Sequence, residues 1–237
     1  MLGGRFAREN KKTMNKINID NYIIHKEEYY SILYSTHEKK DYITALSNCL
    51  NKTYNEFIEY FTLPDGLDLT FIVFYSVDDC FLITKRMLNS SMFMLLEVNS
   101  NKANISLFSE KANAINSNMN RTKRHILHEL MHLWITYETG SIRLMHDKNE
   151  GLNIPVWLDE GLSEYVSLTL TEEDDKLSVC MNEYKKASAL HIEYDFWSSN
   201  SSYYYCIATG KTLDLLSNER IINLVKIKYL LKSNSIT

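Results

Sequence analysis

Two histidines and a glutamate lie within the five residues HELMH, at positions 128–132. On an α-helix, residues four apart lie one turn apart on the same face, so His128 and His132 point the same way. Two imidazole nitrogens at this spacing can bind one zinc ion at about 2.0–2.1 Å. Glu129 is rotated by about 100° from His128 and can reach a water molecule on that ion. The pattern predicts two zinc ligands and a general base; the alternative is two core histidines without a metal.

A third ligand is expected in the segment PVWLDEGLSEYV, at positions 155–166. A catalytic zinc usually has three protein ligands and one open position, so two histidines leave the ion one ligand short. Glu160 falls within the apolar face of the predicted helix, and Glu164 lies one turn further on. Two such carboxylates repel each other unless a cation or a hydrogen-bond donor lies between them. We expect Glu160 to bind zinc and Glu164 to accept the ring N–H of His128. The alternative is a solvated pair of surface glutamates.

Together, HELMH and WLDEGLSEY resemble the motifs of the gluzincin zinc metallopeptidases, whose second motif has the form W-L-x-E-G-x-(A/S)-x-Y. The resemblance implies a thermolysin-like fold, with His128, His132 and Glu160 as the zinc ligands and Glu129 as the base. The separation between His132 and Glu160 is similar to that of the bacterial collagenases and the small peptidase MA-like proteins. It is longer than in the aminopeptidases, whose G-A-M-E-N motif the chain also lacks. The motif-level match covers residues 121–170.

Gluzincins commonly use a tyrosine or a histidine on a later helix to stabilise the oxyanion. The resemblance directs attention to SSYYYCIATG, at positions 201–210. Tyr204 is the first choice because its distance from Glu160 resembles the collagenase-like arrangement, and Tyr205 and Tyr203 follow it. The chain contains 16 tyrosines, so an ordinary core position is the alternative for each of the three.

A helix, several strands and a helical half must position these residues. Apolar residues at the spacing i, i+3, i+4, i+7 predict a helix over 37–61, which the turn sequence LPDG at 63–66 ends. Strands are predicted from β-rich runs at 67–75, 91–98 and 105–109, the last at a sheet edge. Further helices are predicted at 121–138, 155–170, 181–191, 202–216 and 218–232. The fold class is therefore α+β: an N-terminal helix and a small mixed sheet, followed by a mostly helical half that carries the zinc site.

The composition excludes several classes of protein. The 237 residues are 45% hydrophobic and 24% charged, which is typical of a globular protein with a substantial core. With 2 Pro and 7 Gly, the chain is poor in turn-forming residues, which argues against an all-β sandwich. A net charge of −4 without a basic run argues against nucleic acid as a partner. No apolar stretch reaches the roughly 20 residues that a membrane span needs.

We expect a single gluzincin-like catalytic domain over 14–237, with an α/β part over about 20–120 and a helical part over about 121–237. Residues 1–13 are predicted to be a tag or a disordered tail. They are basic but precede no apolar segment, so they do not form a secretory signal. The four cysteines form no C-x-x-C motif and are predicted to be thiols. These features favour a cytoplasmic location and leave secretion open.

The predicted function is that of a zinc metallopeptidase that hydrolyses an internal bond of a peptide or protein substrate, with one Zn²⁺ per chain. Glu129 would take a proton from the attacking water and pass it to the departing amine. The expected edge strand ISLFS at 105–109 would pair with an extended substrate. Three alternatives stay open: a zinc hydrolase of a non-peptide substrate, a peptide-binding pseudo-peptidase, and a helix pair without a metal. The oligomeric state is also open.

Overall fold

The computed structural model describes residues 21–84, 94–99, 101–141, 152–190 and 201–235. The predicted tag or tail at 1–13 and the beginning of the predicted 91–98 strand lie outside these residues. The described residues form five strands and seven α-helices, which occur in the order β1 (Tyr22–Lys26), β2 (Ser31–Ser35), α1 (Lys40–Ile58), β3 (Asp68–Phe74), α2 (Val77–Thr84), β4 (Met94–Asn99), β5 (Lys102–Phe108), α3 (Met119–Thr139), α4 (Val156–Leu170), α5 (Asp174–Ala189), α6 (Ser201–Leu215) and α7 (Leu224–Ser233).

The strands form one mixed sheet in the order β1-β2-β3-β5-β4. β2 and β5 both run parallel to β3, whereas β1 and β4 are antiparallel to their neighbours. Alternate residues of β3 enter two different clusters, with Phe71 and Val73 in the main core and Ile72 and Phe74 in a smaller one. Both faces of the central strands are therefore covered, as is usual for parallel strands. The prediction of an α+β fold with a small mixed sheet before a helical half is confirmed.

The expectation that 105–109 forms a sheet edge is wrong. These residues belong to β5, which lies between β3 and β4 and pairs with both. Side chains on both faces of this strand are buried, from Ile105 to Phe108, because helices cover the sheet on each side. The edge on this side of the sheet is instead β4, which runs antiparallel to β5 and packs near α3.

The helical half is built around α3, the longest of its helices. α3 begins at Asn118, whose side chain accepts the backbone N–H of Arg121 at 3.2 Å. It ends at Gly140, whose φ of 62° is left-handed, a conformation that glycine adopts without steric strain. The helix packs against α1, β4 and α4, and residues such as Leu130 and Trp134 are buried in the main core. α3 is thus held between the sheet and the remaining helices.

Two glycines let α6 approach its neighbours closely. A Cβ atom at Gly161 of α4 would collide with the Thr212 hydroxyl and the Ala208 carbonyl of α6. A Cβ atom at Gly210 of α6 would collide with the carbonyl of Cys180 in α5. Backbone contacts therefore fix α6 against both α4 and α5, and a larger side chain at either glycine would force the helices apart.

Helix boundaries differ from the predicted ones where the end of a helix is polar. α5 begins at Asp174, before the predicted start at 181. The prediction began too late because the first turn of this helix is acidic and exposed and therefore lacks the apolar residues that reveal helical periodicity. α7 begins after Asn223, whose side chain accepts the backbone N–H of Lys226. Residues 217 and 218, at the predicted boundary between two helices, have positive φ and form a turn, so the predicted helix start at 218 is wrong. None of the helices in the described ranges has the length and apolar composition needed to cross a membrane.

Candidate metal centre

α3 and α4 cross so that three potential ligand atoms meet. The Nε2 atoms of His128 and His132 lie 3.0 Å apart. The Oε2 atom of Glu160 lies 3.2 Å from the first and 3.1 Å from the second. Ligands bound to a tetrahedral ion at about 2.0–2.1 Å are themselves about 3.3–3.4 Å apart, so this triangle has the size of a zinc site. Within the described part of the chain, these three side chains are the group of His, Cys, Asp or Glu residues close enough together to hold a metal ion.

The other ring nitrogen of each histidine contacts oxygen atoms of α4. Nδ1 of His128 lies 3.2 Å from Oε2 of Glu164. Nδ1 of His132 lies 3.1 Å from Oδ2 of Asp159 and 2.9 Å from the hydroxyl oxygen of Ser163. An ionised carboxylate only accepts hydrogen bonds, so these contacts place the ring proton on Nδ1. With a metal ion bound, each Nε2 would present its lone pair to that ion beside the Glu160 carboxylate; without one, a proton on Nε2 would be donated to Glu160 instead.

Ser163 can accept this hydrogen bond because its own proton is used elsewhere. Its hydroxyl donates to the backbone carbonyl of Asp159, at 2.9 Å, one turn earlier in α4. The side chain of Asp159 is only 1% exposed, so the contact with His132 is made without competition from solvent. Asp159 and Ser163 therefore fix the orientation of the His132 ring.

Arg124 completes the corresponding arrangement behind His128. It lies one turn before His128 on α3, and its Nη2 atom is 3.4 Å from Oε1 of Glu164. A second nitrogen of the guanidinium lies 3.8 Å from Glu173. Glu164 is thus placed between a histidine and an arginine, each of which contacts a different carboxylate oxygen. These contacts hold the carboxylate in the position from which it contacts the His128 ring.

The charges of the site favour a positive ion at its centre. Burial raises the pKa of Glu160, but His132 and His128 outweigh burial and hold it well below its usual range. Burial likewise raises the pKa of Glu164, and His128 and Arg124 lower it by more. Burial lowers the pKa of His128, yet Glu160 and Glu164 reverse that effect and raise it to about 10. Two ionised carboxylates therefore stabilise positive charge between them, whether a proton or a metal ion carries it.

A tyrosine from α6 closes one side of the centre. The ring of Tyr205 lies 6.0 Å from that of His128, measured between centroids, and its hydroxyl is hydrogen-bonded to Glu160. Burial raises the pKa of Tyr205 well above its usual value, and the charges of Glu160, Glu129 and Glu164 raise it further. The phenol is therefore protonated at neutral pH and available as a hydrogen-bond donor.

The sequence-based first choice among the three tyrosines was Tyr204, whereas the ring that lies beside His128 in the structure is that of Tyr205. Adjacent residues of a helix point about 100° apart, so Tyr204 and Tyr205 point in different directions. The ring of Tyr204 packs edge-on against Tyr203, with centroids 6.1 Å apart. Sequence spacing therefore located the turn of α6 that approaches His128, and the catalytic role of Tyr204 stays a prediction.

The structure brings together the other residues proposed from the sequence. His128, His132 and Glu160 form the triangle, Glu164 contacts His128, and the charge of Glu129 acts on Tyr205. Sequence reasoning missed Asp159, Ser163 and Arg124. A signal for Asp159 was available, because it directly follows Trp157 and Leu158 and lies one turn before Leu162, and an acidic residue among apolar ones needs a partner.

A scan of the chain against models of known protein families finds no match, and a search of curated proteins finds no relative. What the chain possesses is a buried group of two histidines and a glutamate that could bind a metal ion. The chemistry open to this group depends on the geometry of α3, α4 and α6.

Proposed function

We propose that the protein is a zinc-dependent metallopeptidase of the gluzincin type that hydrolyses internal peptide bonds. The observation that carries this proposal is the triangle of two Nε2 atoms and one Oε2 atom, with sides of 3.0–3.2 Å. Two neutral imidazoles and one carboxylate are the ligand set of known catalytic zinc sites in peptidases. Such a set leaves one coordination position open for water or substrate, which a purely structural site does not need.

His128, His132 and Glu160 would hold the zinc, which supplies a Lewis acid that lowers the pKa of water and polarises a carbonyl group. Glu129 neighbours His128 on α3 and lies on the side of Tyr205, whose pKa its charge raises. Its carboxylate would take the proton of the attacking water and pass it to the departing amine. This is the role for which the chain needs a glutamate directly after the first histidine.

Tyr205 would donate a hydrogen bond to the oxyanion that forms as the carbonyl is attacked. Its hydroxyl is already close to the ligands, through the hydrogen bond to Glu160. Because burial and nearby carboxylates keep the phenol protonated, it can donate at neutral pH without losing its proton. We therefore assign to Tyr205 the role that the sequence first suggested for Tyr204.

An extended peptide would reach these residues along β4. Within the described sheet β4 is the last strand, paired with β5 along one edge only. It also packs near α3, the helix that carries Glu129. A substrate strand that adds to the outer edge of β4 would gain main-chain hydrogen bonds and place a peptide bond near the metal centre. β4 thus takes the substrate-pairing role that had been expected of residues 105–109.

The deciding experiment compares the wild type with Glu129→Gln. The amide keeps the shape of the side chain but cannot accept the proton of water, so zinc content should stay near one equivalent while cleavage of a mixed peptide library is lost. Metal content is measured by mass spectrometry, and cleavage by the appearance of new peptide termini. Glu138→Gln is the matched control, because Glu138 is an exposed residue of the same helix. It should retain both properties.

Three outcomes would overturn the proposal. A wild type that contains no zinc and gains none on addition would indicate a helix pair without a metal. A zinc-containing wild type that cleaves no peptide would indicate a pseudo-peptidase or a hydrolase of other substrates. A Glu129→Gln variant that loses its zinc would make Glu129 a ligand rather than the base.

A further inference from the structure

The thiols of two cysteines meet where α5 and α6 pack together. The Sγ atoms of Cys180 in α5 and Cys206 in α6 lie 2.9 Å apart. All four cysteines of the chain are present as thiols in the structure. The sulfur atoms of a disulfide are about 2.05 Å apart, so this pair needs to approach by only about 0.9 Å to form one. A side-chain rotation can supply a movement of that size.

The two helix backbones are also held at a fixed distance beside this pair. Gly210 lies one turn after Cys206, and a Cβ atom there would collide with the carbonyl of Cys180 and with Cβ of Tyr184. The helices are thus already in contact along the turn that the sulfur atoms occupy. A bond between the sulfurs would preserve this packing rather than distort it.

We propose that Cys180 and Cys206 form a modification site, a dithiol that reacts with low-molecular-weight disulfides to give a reversible disulfide between α5 and α6. The reaction consumes one small disulfide and the two protein thiols, and it yields the protein disulfide and two small thiols. The protein sulfurs are oxidised as the small disulfide is reduced, so no other reactant is needed. This proposal is independent of the proposed peptidase function.

Exposure decides which of the two thiols reacts first. Cys206 is partly exposed, whereas Cys180 is buried, so a small disulfide reaches Cys206 first. The contact with Cys180 lowers the pKa of the Cys206 thiol, although burial opposes this effect. The Cys206 thiolate attacks the small disulfide, forms a mixed disulfide and releases one small thiolate, which takes a proton from water.

Cys180 then completes the reaction. The contact with Cys206 and burial both raise the pKa of the Cys180 thiol, but the first effect ends once Cys206 is bound in the mixed disulfide. Cys180 loses its proton to water, attacks the sulfur of Cys206 and expels the second small thiol. Because the two sulfurs are already neighbours, this step should be faster than reduction of the mixed disulfide on Cys206 by other thiols in solution.

The test uses the full chain, reduced and then freed of reductant, with oxidised glutathione as the probe. After the reaction, the remaining thiols are alkylated in denaturant and the protein is mapped by peptide mass spectrometry. We expect one linked peptide pair joining Cys180 to Cys206, alkylated Cys49 and Cys80, and full reversal by dithiothreitol. Stable glutathione on Cys206 of the wild type, or four alkylated cysteines, would overturn the proposal.

Variants separate the two steps. Cys180→Ser should accumulate glutathione on Cys206, because the resolving thiol is absent, and Cys206→Ser should leave Cys180 unmodified. Cys49→Ser is the control and should form the link like the wild type. If glutathione modified Cys180 in Cys206→Ser as fully as it modified Cys206 in Cys180→Ser, the proposed order of reaction would be wrong.

Thermal unfolding gives a second readout that does not depend on activity. The link closes a loop that contains residues 181–205 and restricts the unfolded chain. The unfolding midpoint of the oxidised wild type should exceed that of the reduced protein by several degrees, on the order of 5 °C. Oxidised glutathione should leave the midpoint of Cys206→Ser unchanged. A midpoint that falls on oxidation of the wild type would mean that the native helices do not accommodate the bond.

Discussion

The two histidines of the metal centre are held in different ways, although both present Nε2 to the same carboxylate. His132 is held by Asp159 and Ser163, whose side chains are almost completely buried in α4. His128 is held by Glu164, which is 17% exposed and is itself paired with Arg124, 20% exposed. The first arrangement is a short buried network, and the second is a chain of charges that reaches the protein surface. A buried contact is screened less by water and salt, so we expect Asp159 to contribute more to metal affinity than Glu164.

The largest effect on zinc binding should follow from removing one of the three proposed ligand side chains. His132→Ala and Glu160→Ala each delete one of the three atoms of the triangle, and the remaining pair cannot complete the site. Zinc content after dialysis should fall from near one equivalent to less than roughly a tenth. Metal analysis together with circular dichroism separates loss of the site from loss of the fold. A folded Glu160→Ala that keeps a full equivalent would remove Glu160 from the ligand set.

The comparison between the two halves is sharpest for Asp159→Asn and Glu164→Gln. Replacing a carboxylate that holds a metal-binding histidine typically weakens metal binding by about 10–100-fold. We expect Asp159→Asn near the upper end of this range and Glu164→Gln near the lower end, because Asp159 lies in the drier surroundings. Competition with a chelator of known affinity measures both zinc dissociation constants. Equal losses would mean that burial does not distinguish the two supports.

A smaller effect is expected from Arg124→Met, which removes only the outer charge of the His128 support. A partly exposed ion pair contributes little, so zinc binding should weaken by about two- to fivefold. High salt should bring the wild type close to the variant, because the charge of Arg124 is then screened. Arg121→Met removes the same charge from an exposed position of α3 and serves as the control. If both variants behave alike, the effect is one of net charge and Arg124 does not position Glu164.

The smallest effect on zinc is expected at Tyr205, which contacts a ligand but neither binds the ion nor holds a ligand ring. Tyr205→Phe should keep full zinc content while kcat for peptide cleavage falls by about 10²–10³-fold. KM should change little, because the hydroxyl would act on the transition state rather than on the bound substrate. Tyr204→Phe is the matched control on the same turn of α6. Loss of activity in Tyr204→Phe alone would return the role to Tyr204.

The parts of the site that sequence could predict are those that depend on local geometry. The spacing of His128 and His132 fixes their common face on any helix, and Glu160 was found because it interrupts an apolar face. The choice between Tyr204 and Tyr205 depends on the rotation of α6 about its own axis. That rotation is set by contacts of Ala208 and Thr212 with α4, which no local pattern reveals.

The same limit explains the error in the sheet and the strands that were missed. The segment 105–109 has the composition of a strand, but its position in the sheet depends on which distant strands pair with it. β1 and β2 were overlooked because each has only five residues, and β1 is mostly exposed and shows no clear alternation of buried and exposed residues. Their pairing with each other and with β3 is what identifies them as strands.

The contact at Gly161 has a consequence for how this sequence can vary. Gly161 directly follows Glu160, the proposed ligand, and the space beyond its Cα is filled by the backbone and the Thr212 hydroxyl of α6. A descendant that acquired alanine at this position would have to move α6 outward, and the hydroxyl of Tyr205 would move with it. Position 161 should therefore change only together with positions 208 and 212, or in descendants that no longer use Tyr205. The side chain tolerated at position 161 is thus expected to depend on where α6 holds Tyr205, the residue proposed to stabilise the oxyanion.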